Sequence, residues 1–281
     1  MEAKDILREY YGYESFRPGQ DRMVQAILSG RDAMGIMPTD TVLIHTSMRA
    51  VGHVEGGADG VIDAFREYLE EGLFLVPTHT WANVNREHPS YDVRSTVPCI
   101  GALPRVAAFR KDGVRSLHPT HSIWAAGKSA AAYVANEENA GSPGAPGYAW
   151  DRLGDVNAKI LLIGVELNRN TFIHAVEEAA QVPDRLEQEP WDVTIFDWEG
   201  RELHRPFVSH RCSRSVDVSR QYVNFEKPLR ALGAMKFGKL GNADVRIVDA
   251  RLCKQIIMKI CSRATEDLCV DFMDLPEELY R

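Results

Sequence analysis

One run of apolar residues constrains the fold more than any other feature of this chain. Residues 159–165 read Lys-Ile-Leu-Leu-Ile-Gly-Val, without a polar side chain after the first position. A strand that alternates polar and apolar residues has one wet face, whereas a continuously apolar strand must be covered on both faces. Sheets covered in this way carry helices on their two sides. The run therefore predicts an α/β fold.

Neighbouring segments alternate in the way that such a fold requires. Residues 41–45 and 73–77 are predicted strands, and the amphipathic segment 60–69 between them is a predicted helix. Residues 191–225 are predicted to be rich in β-structure, with a hairpin turn at Glu199-Gly200. The other predicted elements are helices at 102–111, 129–138, 170–182 and 253–261, a strand at 243–249, and a long polar loop at 81–100.

Composition and charge exclude several classes of function. The 281 residues allow one or two domains, and the net charge of −7 disfavours a nucleic-acid-binding surface. No apolar run approaches the roughly 20 residues of a membrane span, and the N-terminus lacks the apolar core of a signal peptide. The five cysteines form no Cys-x-x-Cys pair, which is typical of free thiols in a reducing compartment. We therefore expect a cytoplasmic protein without nucleic-acid or membrane partners.

The N-terminal segment differs in character from the rest. Residues 11–20 read Tyr-Gly-Tyr-Glu-Ser-Phe-Arg-Pro-Gly-Gln, and residues 26–39 end in Met-Pro-Thr. Over residues 4–39 this resembles the start of a RecQ-type DNA helicase. The Gly-x-Gly-Lys-Ser phosphate loop that follows in that family is replaced here by Asp-Thr-Val-Leu-Ile-His. Without a nucleotide cradle, residues 1–39 are expected to keep a packing role only. The residues expected to cover the α/β core are Ile6, Leu7, Tyr10, Ile27 and Leu28.

Histidines mark the candidate site. Five of the nine lie at or just after predicted strand ends, beside hydroxyl residues: His45, His79, His118, His121 and His174. Ligands of α/β proteins bind at the carboxyl ends of the strands. A single histidine at such a place is usually structural, but four separate segments point to one shared site.

His174 and Glu177 form the most specific pair. They are three residues apart on a predicted helix, so they share a face and can touch. A carboxylate beside an imidazole fixes its tautomer and raises its basicity, as a general base requires. Asn170 and Thr171 are expected to cap the start of this helix. The alternative interpretation is a polar pair on the protein surface.

Four sequence segments together resemble one enzyme family. Residues 45–52 read His-Thr-Ser-Met-Arg-Ala-Val-Gly, residues 75–80 Leu-Val-Pro-Thr-His-Thr, and residues 115–122 Arg-Ser-Leu-His-Pro-Thr-His-Ser. Residues 161–177 end in Asn-Thr-Phe-Ile-His-Ala-Val-Glu. In order and spacing, these segments resemble the aminoglycoside 3-N-acetyltransferase family, over about residues 40–265. The chain departs from the family pattern at Tyr148 and Ala149, where Ser and Pro are common.

The resemblance implies a fold and a reaction. The implied fold is α/β, with a mixed sheet flanked by helices, different from the GNAT acetyltransferases, and with a β-rich insertion near the C-terminal half. Residues 40–281 would be the acetyltransferase domain. It would transfer acetyl from acetyl-CoA, without a metal, to the 3-amino group of the 2-deoxystreptamine ring of aminoglycosides, conferring resistance. The protein would act as a monomer or homodimer.

The chemistry of acetyl transfer suggests roles for the marked residues. A base must deprotonate the amine, donors must await the developing oxyanion, and an acid can protonate the leaving sulfur. The predicted catalytic residues are His174, Glu177, Thr171, His118 and Thr120, with His121 as the alternative acid. The predicted acetyl-CoA-binding residues are His45, Thr46, Ser47, Met48, Arg49, Val51, Gly52, Thr78, Thr120 and Ser122. The residues predicted to bind the cationic acceptor are Glu177, Asp151, Asp217 and His79.

Other functions stay open at this stage. His118, His121, His174 and Glu177 could together form the ligand set of a metal-dependent hydrolase. The enzyme could instead acetylate an amine that is not an antibiotic. The helicase-like start suggests a third reading, a non-enzymatic nucleic-acid-binding module.

Overall fold

The computed structural model describes residues 3–11, 13–16, 24, 35–213, 217–264 and 274–281. The chain divides into two compact units, Met1–Met37 and Pro38–Arg281. The first unit contains helix α1 (Ala3–Tyr11). Of the residues expected to cover the α/β core, Ile27 and Leu28 lie outside the described residues. The packing role of this segment stays a prediction.

The second unit alternates strands and helices. Its strands are β1 (Thr41–Thr46), β2 (Leu73–Pro77), β3 (Ser90–Asp92), β4 (Val114–Arg115), β5 (Ile123–Gly127), β6 (Lys159–Ile163), β7 (Trp191–Phe196), β8 (Glu202–Phe207), β9 (Met235–Leu240) and β10 (Ala243–Asp249). Its α-helices are α2 (Met48–Val51), α3 (Gly57–Tyr68), α4 (Ala102–Ala107), α5 (Ala130–Tyr133), α6 (Ala149–Arg152), α7 (Phe172–Ala179), α8 (Glu226–Ala231) and α9 (Ala250–Arg263).

A seven-stranded mixed sheet, flanked by helices, forms the centre of this unit. Its strand order is β4-β5-β2-β1-β6-β10-β9, and β1 pairs in parallel with both β2 and β6. The apolar run that predicted a covered strand is β6, in which Ile160–Ile163 are buried. The remaining strand pairs are antiparallel. The α/β fold with a mixed sheet is confirmed.

A second, three-stranded sheet of order β3-β7-β8 forms the β-rich insertion. The predicted hairpin is β7 and β8, which turn at Gly200 with a φ of 81°. This sheet has its own apolar core, in which Tyr91, Val193 and Ile195 are fully buried. β3 comes from the segment 81–100, which the sequence predicted to be loop throughout.

Three other predictions were wrong in detail. Residues 218–225 form a 3-10 helix rather than a strand, and Asp217 caps it by accepting from the Ser219 amide. The single helix expected at 129–138 is two short pieces, because Ser129 and Asn136 adopt left-handed backbone conformations at their starts. The helix expected at 102–111 ends at Ala107.

Two further observations concern the described part of the chain. It contains no helix that is both long and apolar enough to cross a membrane. Cys99, Cys212, Cys253 and Cys261 are free thiols, as predicted, whereas Cys269 lies outside the described residues.

Candidate active site

The topology of the large sheet brings the predicted site segments together. Strands β1, β2 and β6 are parallel, so their carboxyl ends lie at one edge of the sheet. His45 and Thr46 end β1, His79 follows β2, and the chain after β6 leads into α7 with His174. Because β5 runs antiparallel to β2, the residues before its first position, including His121, lie at the same edge. A ligand site at this edge is the usual arrangement in α/β proteins.

A cavity of about 870 Å³ opens at this edge. This volume lies in the range typical of sites for small molecules. The predicted site residues that line the cavity are His45, Thr46, His79, Thr120, His121, Thr171, His174 and Asp217.

His174 belongs to a buried chain of hydrogen bonds, but it does not bond Glu177 directly. The Tyr222 hydroxyl lies between them, 2.7 Å from His174 Nδ1 and 2.5 Å from Glu177 Oε2. Arg185 Nε donates to Glu177 Oε1 over 3.0 Å. Glu177, Arg185 and Tyr222 are 0%, 3% and 0% exposed.

The order of donors in this chain fixes the tautomer of His174. Tyr222 has one hydroxyl hydrogen and donates it to Glu177, so its oxygen can only accept from His174. His174 therefore carries its hydrogen on Nδ1, and Nε2 keeps a free lone pair. Because His174 also lines the cavity, this geometry supplies a base.

The helix that carries the pair begins differently from the prediction. Thr171 is at the N-cap of α7, but its backbone is already helical, with a φ of −57°, and its side chain makes no capping bond. The side chain of Asn170 is fully buried and has no hydrogen-bond partner within the described residues. The i,i+3 spacing still puts His174 and Glu177 on one face, where the Tyr222 hydroxyl reaches both.

A second carboxylate on α7 holds a second imidazole. Glu178 accepts from the Gly144 amide over 2.7 Å, contacts His210 Nε2 at 2.8 Å, and accepts from the Ser142 hydroxyl. The ring of His210 stacks on that of His174, with centroids 4.1 Å apart and planes inclined by 27°.

Burial governs the ionisation of these groups. It lowers the pKa of His45 to about 3, helped by the positive charge of Arg169, and the pKa of His210 to about 3, helped by Arg185. Burial also lowers the pKa of His174 well below 6.5, with His210 and then Arg185 adding to the effect and Asp217 opposing it. The same desolvation raises the pKa of Glu177, against the opposing effect of Arg185. His174 is therefore neutral at neutral pH.

Both ring nitrogens of His118 are hydrogen-bonded to the backbone. Its Nδ1 accepts from the amides of Thr120 (3.3 Å) and His121 (3.0 Å), so its Nε2 donates to the Ser142 carbonyl at 3.1 Å. Burial lowers its pKa to about 4. The Thr120 hydroxyl bonds His121 Nδ1 at 2.9 Å. Of the two candidate acids, His121 is the one that lines the cavity.

Most of the residues predicted to bind acetyl-CoA do not line this cavity. The exceptions are His45, Thr46 and Thr120. Thr78 and Ser122 are fully buried and bond each other through their hydroxyls at 2.8 Å. The predicted residues on and around α2 lie outside the lining: Ser47, which caps α2 through the Ala50 amide, Met48, exposed Arg49, buried Val51 and Gly52.

The three carboxylates that were predicted to bind the acceptor differ in their position relative to the cavity. Asp151 is bound by Lys254 Nζ at 2.5 Å and lies outside the lining. Glu177 accepts hydrogen bonds from Arg185 and Tyr222. Asp217 lines the cavity with a side chain that is 42% exposed.

The sequence analysis missed four residues of the site: Tyr222, Arg185, Glu178 and His210. For Tyr222 a signal was present. Val218, Tyr222 and Phe225 recur at spacings of four and three, which indicates a helical turn with Tyr222 on its buried face. Nothing in the sequence fixes how the segments that hold Arg185 and His210 return to α7.

The predicted metal set does not form in the described residues. Among them, no three His, Cys, Asp or Glu side chains are arranged to hold a metal ion. Nδ1 of His174 is hydrogen-bonded to a tyrosine hydroxyl, and both ring nitrogens of His118 are hydrogen-bonded to the backbone. The geometry gives the hydrolase alternative no support.

Comparison with known proteins identifies the family. A sequence model of the aminoglycoside 3-N-acetyltransferase family matches residues 43–262. The chain belongs to this family. It is 30% identical, over 245 residues, to aminoglycoside N(3)-acetyltransferase VII of Streptomyces paromomycinus, which covers 78% of this chain and 84% of that protein.

Solved structures of this family share the fold. The crystal structure of aminoglycoside acetyltransferase AAC(3)-Xa matches with a TM-score of 0.71 and 25% identity, over 90% of this chain and 94% of that one. AAC-IIIb, solved as a binary complex with CoASH, matches with a TM-score of 0.65 and 21% identity, over 77% and 87% of the two chains. These solved family members and this chain therefore share one α/β fold.

Proposed function

We propose that this enzyme transfers the acetyl group of acetyl-CoA to the 3-amino group of the 2-deoxystreptamine ring of aminoglycosides, with His174 as general base. The observation that carries the proposal is the hydrogen-bond order Arg185–Glu177–Tyr222–His174, which leaves a lone pair on Nε2 of a neutral imidazole. The curated relatives are named for this reaction, and the relative AAC-IIIb binds CoASH.

A general base is needed because the attacking amine is almost entirely protonated at neutral pH. An amine with a pKa of about 10.4 is neutral in only about one molecule in a few thousand at pH 7. As the amine nitrogen attacks the thioester carbon, Nε2 of His174 takes its proton, which then passes to the departing sulfur. The carbon–nitrogen bond forms as the carbon–sulfur bond breaks, without a covalent acetyl-enzyme. Such assistance is typically worth about 10²–10⁴-fold in rate.

Other residues at the cavity serve the remaining steps. The thioester oxygen gains negative charge, and the hydroxyls of Thr120 and Thr171 are the proposed donors to it. His121 is the proposed second imidazole near the sulfur. The bonds of His118 suit it to ordering the loop that presents Thr120.

Charges in the lining suggest where the two substrates lie. Asp217 and His79, which both line the cavity, are the proposed contacts for the cationic acceptor. Arg169 and Arg211 are exposed residues of the lining and are the proposed donors to the phosphates of CoA, in place of Arg49. Arg185 is not one of these proposed donors, because it forms a buried ion pair with Glu177.

Turnover across a panel of amines tests the function. Acetyl-CoA consumption, read by thiol release, is measured with gentamicin, apramycin and simple amines that are not aminoglycosides. We expect turnover with at least one aminoglycoside and a product acetylated on the 3-amino group by NMR. Turnover confined to the other amines would assign the enzyme a different acceptor, and no thiol release with any amine would overturn the proposal.

A further inference from the structure

The second imidazole–carboxylate pair has no part in the reaction proposed above. Glu178 is 8% exposed and accepts from Ser142 through one oxygen and from Gly144 through the other, which are the bonds of an ionised carboxylate. His210 must therefore donate to it from Nε2, over 2.8 Å. A buried ion that is fully hydrogen-bonded holds its partners in a fixed geometry. Glu178 thus anchors the His210 ring to α7 and to the loop of residues 141–147.

The anchored ring covers one face of the base. The centroids of His210 and His174 are 4.1 Å apart, and the rings are nearly parallel. Tyr222 meets the His174 ring edge-on, with centroids 5.0 Å apart. The His210 ring thus limits rotation of the imidazole plane of His174, and Tyr222 binds its Nδ1.

We propose that His210 is a positioning residue for acetyl transfer, which covers one face of His174 and keeps the Nε2 lone pair of that ring directed at the substrates. This inference rests on the proposed role of His174 as the base. The Tyr222–Glu177 chain holds His174 through Nδ1, and the stacked ring adds a restraint on the plane of the imidazole. A misplacement of about 1 Å in a catalytic group can cost about 100-fold in rate.

Two substitutions distinguish the contribution of the His210 ring from that of its hydrogen bond to Glu178. His210→Phe keeps an aromatic ring over His174 but loses the donor to Glu178. His210→Gln keeps a donor for Glu178 but loses the ring, so water reaches His174. Glu178→Gln leaves His210 in place and removes the charge of its anchor. The other groups that act on His174 or bond it, among the described residues, are Glu177, Arg185, Tyr222, Asp217, His79 and His121.

The first arm of the test does not depend on activity. The titration of His174 is followed by NMR in full-length protein labelled with ¹⁵N-histidine, and its resonance is assigned by its absence from His174→Gln. In the native protein His174 should titrate well below 6.5. We expect His210→Phe to keep this low value, and His210→Gln to move it upward toward about 6.5, because water then stabilises the charged ring. Glu178→Gln removes a nearby negative charge and leaves the ring in place, so it should not move this value upward. An unchanged titration in His210→Gln would overturn the inference.

The second arm measures kinetics in the same variants. His210→Gln should lower kcat about 10- to 100-fold, leave both KM values nearly unchanged, and move the acidic limb of the kcat/KM profile upward. His210→Phe should lose less. The control is His204→Phe, in which an exposed histidine leaves its contact with Glu202 at 3.1 Å. It should match the native protein in kcat and in pH profile.

The two arms separate two kinds of failure. Normal turnover by His174→Ala would reject the proposed base, while the NMR arm would still report on the stacked pair. An inactive His174→Ala together with native kcat and pH profile in His210→Gln and His210→Phe would reject the positioning role alone. Melting temperatures of all variants identify any loss that comes from unfolding.

Discussion

Two ionic networks of this enzyme differ in burial and have opposite electrostatic effects. At the cavity, Arg185 bonds Glu177 over 3.0 Å, and both side chains are nearly inaccessible. On the surface, Arg110 bonds Asp59 and Asp63 over 2.6 and 2.5 Å, and those carboxylates are 58% and 60% exposed. The surface network lowers the pKa of Asp112 through its bond to Arg110, whereas burial raises the pKa of Glu177 despite Arg185.

The difference shows that burial, rather than bond length, decides what a charged group can do here. Water still solvates the exposed carboxylates, so their bonds to Arg110 add little free energy. At the cavity the fold must compensate each charge with a partner, because an uncompensated buried charge is costly. The same dry surroundings lower the pKa of His174, so that its ring is neutral and has a lone pair available to accept a proton.

The largest effect is expected from removing His174, the proposed base. His174→Ala should lower kcat/KM by about 10²–10⁴, the usual value of general-base assistance, when thiol release is measured at neutral pH with the accepted aminoglycoside. The exposed residue His53 supplies the control, since His53→Ala should keep native kinetics. Near-native turnover by His174→Ala would move the base to another imidazole of the cavity.

Substituting the two arginines compares the networks directly. Arg185→Met leaves the Glu177 carboxyl buried without its cation and should lower the free energy of unfolding by about 3–5 kcal/mol. Arg110→Met on the surface should cost about 1 kcal/mol or less. Urea denaturation of both variants measures the contrast. Equal losses would mean that burial does not separate the networks.

Tyr222 tests the link that the structure added to the predicted pair. Tyr222→Phe keeps the ring but removes the hydroxyl between Nδ1 of His174 and Glu177, so the tautomer is no longer fixed. Hydrogen bonds to charged groups are worth about 1.5–3 kcal/mol, which corresponds to a fall in kcat of about 10- to 100-fold. The matched control is Tyr133→Phe, which removes a buried hydroxyl that donates to the Ala149 carbonyl away from the cavity. A native kcat in Tyr222→Phe would show that the bridge has no catalytic role.

Acid should destabilise the protein through its buried imidazoles. Histidines of the unfolded chain take up protons below a pH of about 6.5, whereas the folded chain keeps His45 and His210 neutral to about pH 3 and His118 to about pH 4. Their stabilisation is complete above pH 6.5 and is lost as the pH falls toward those values. Each contributes up to about 1.4 kcal/mol per pH unit.

Glu137 acts in the opposite direction. Burial raises its pKa to about 7, so its contribution is lost as the pH rises from about 4.5 to 7. The histidines outnumber it, and we expect the melting temperature to fall between pH 6.5 and 5. Asp112, whose pKa is lowered by its bond to Arg110, should not change it in this window. A melting temperature that rises over the same interval would contradict this prediction.

The sequence could predict the parts of the site that local spacing determines. The strand end at His45 follows from a short apolar run, and the helix face shared by His174 and Glu177 follows from a period of 3.6 residues. Tyr222 lies 45 residues beyond Glu177, and its contact depends on how a 3-10 helix packs against α7, which no local pattern encodes. For the same reason Thr78 and Ser122 were predicted at the cavity, although their hydroxyls pair with each other inside the protein.

The protonation state of His174 at neutral pH tests the central claim most directly. It is read from the ¹⁵N chemical shifts of its two ring nitrogens in the native enzyme. The hydrogen-bond order through Tyr222 predicts a neutral ring, with hydrogen on Nδ1 and none on Nε2. A ring that is protonated at pH 7, or that carries its hydrogen on Nε2, could not accept the proton of the amine and would contradict the account.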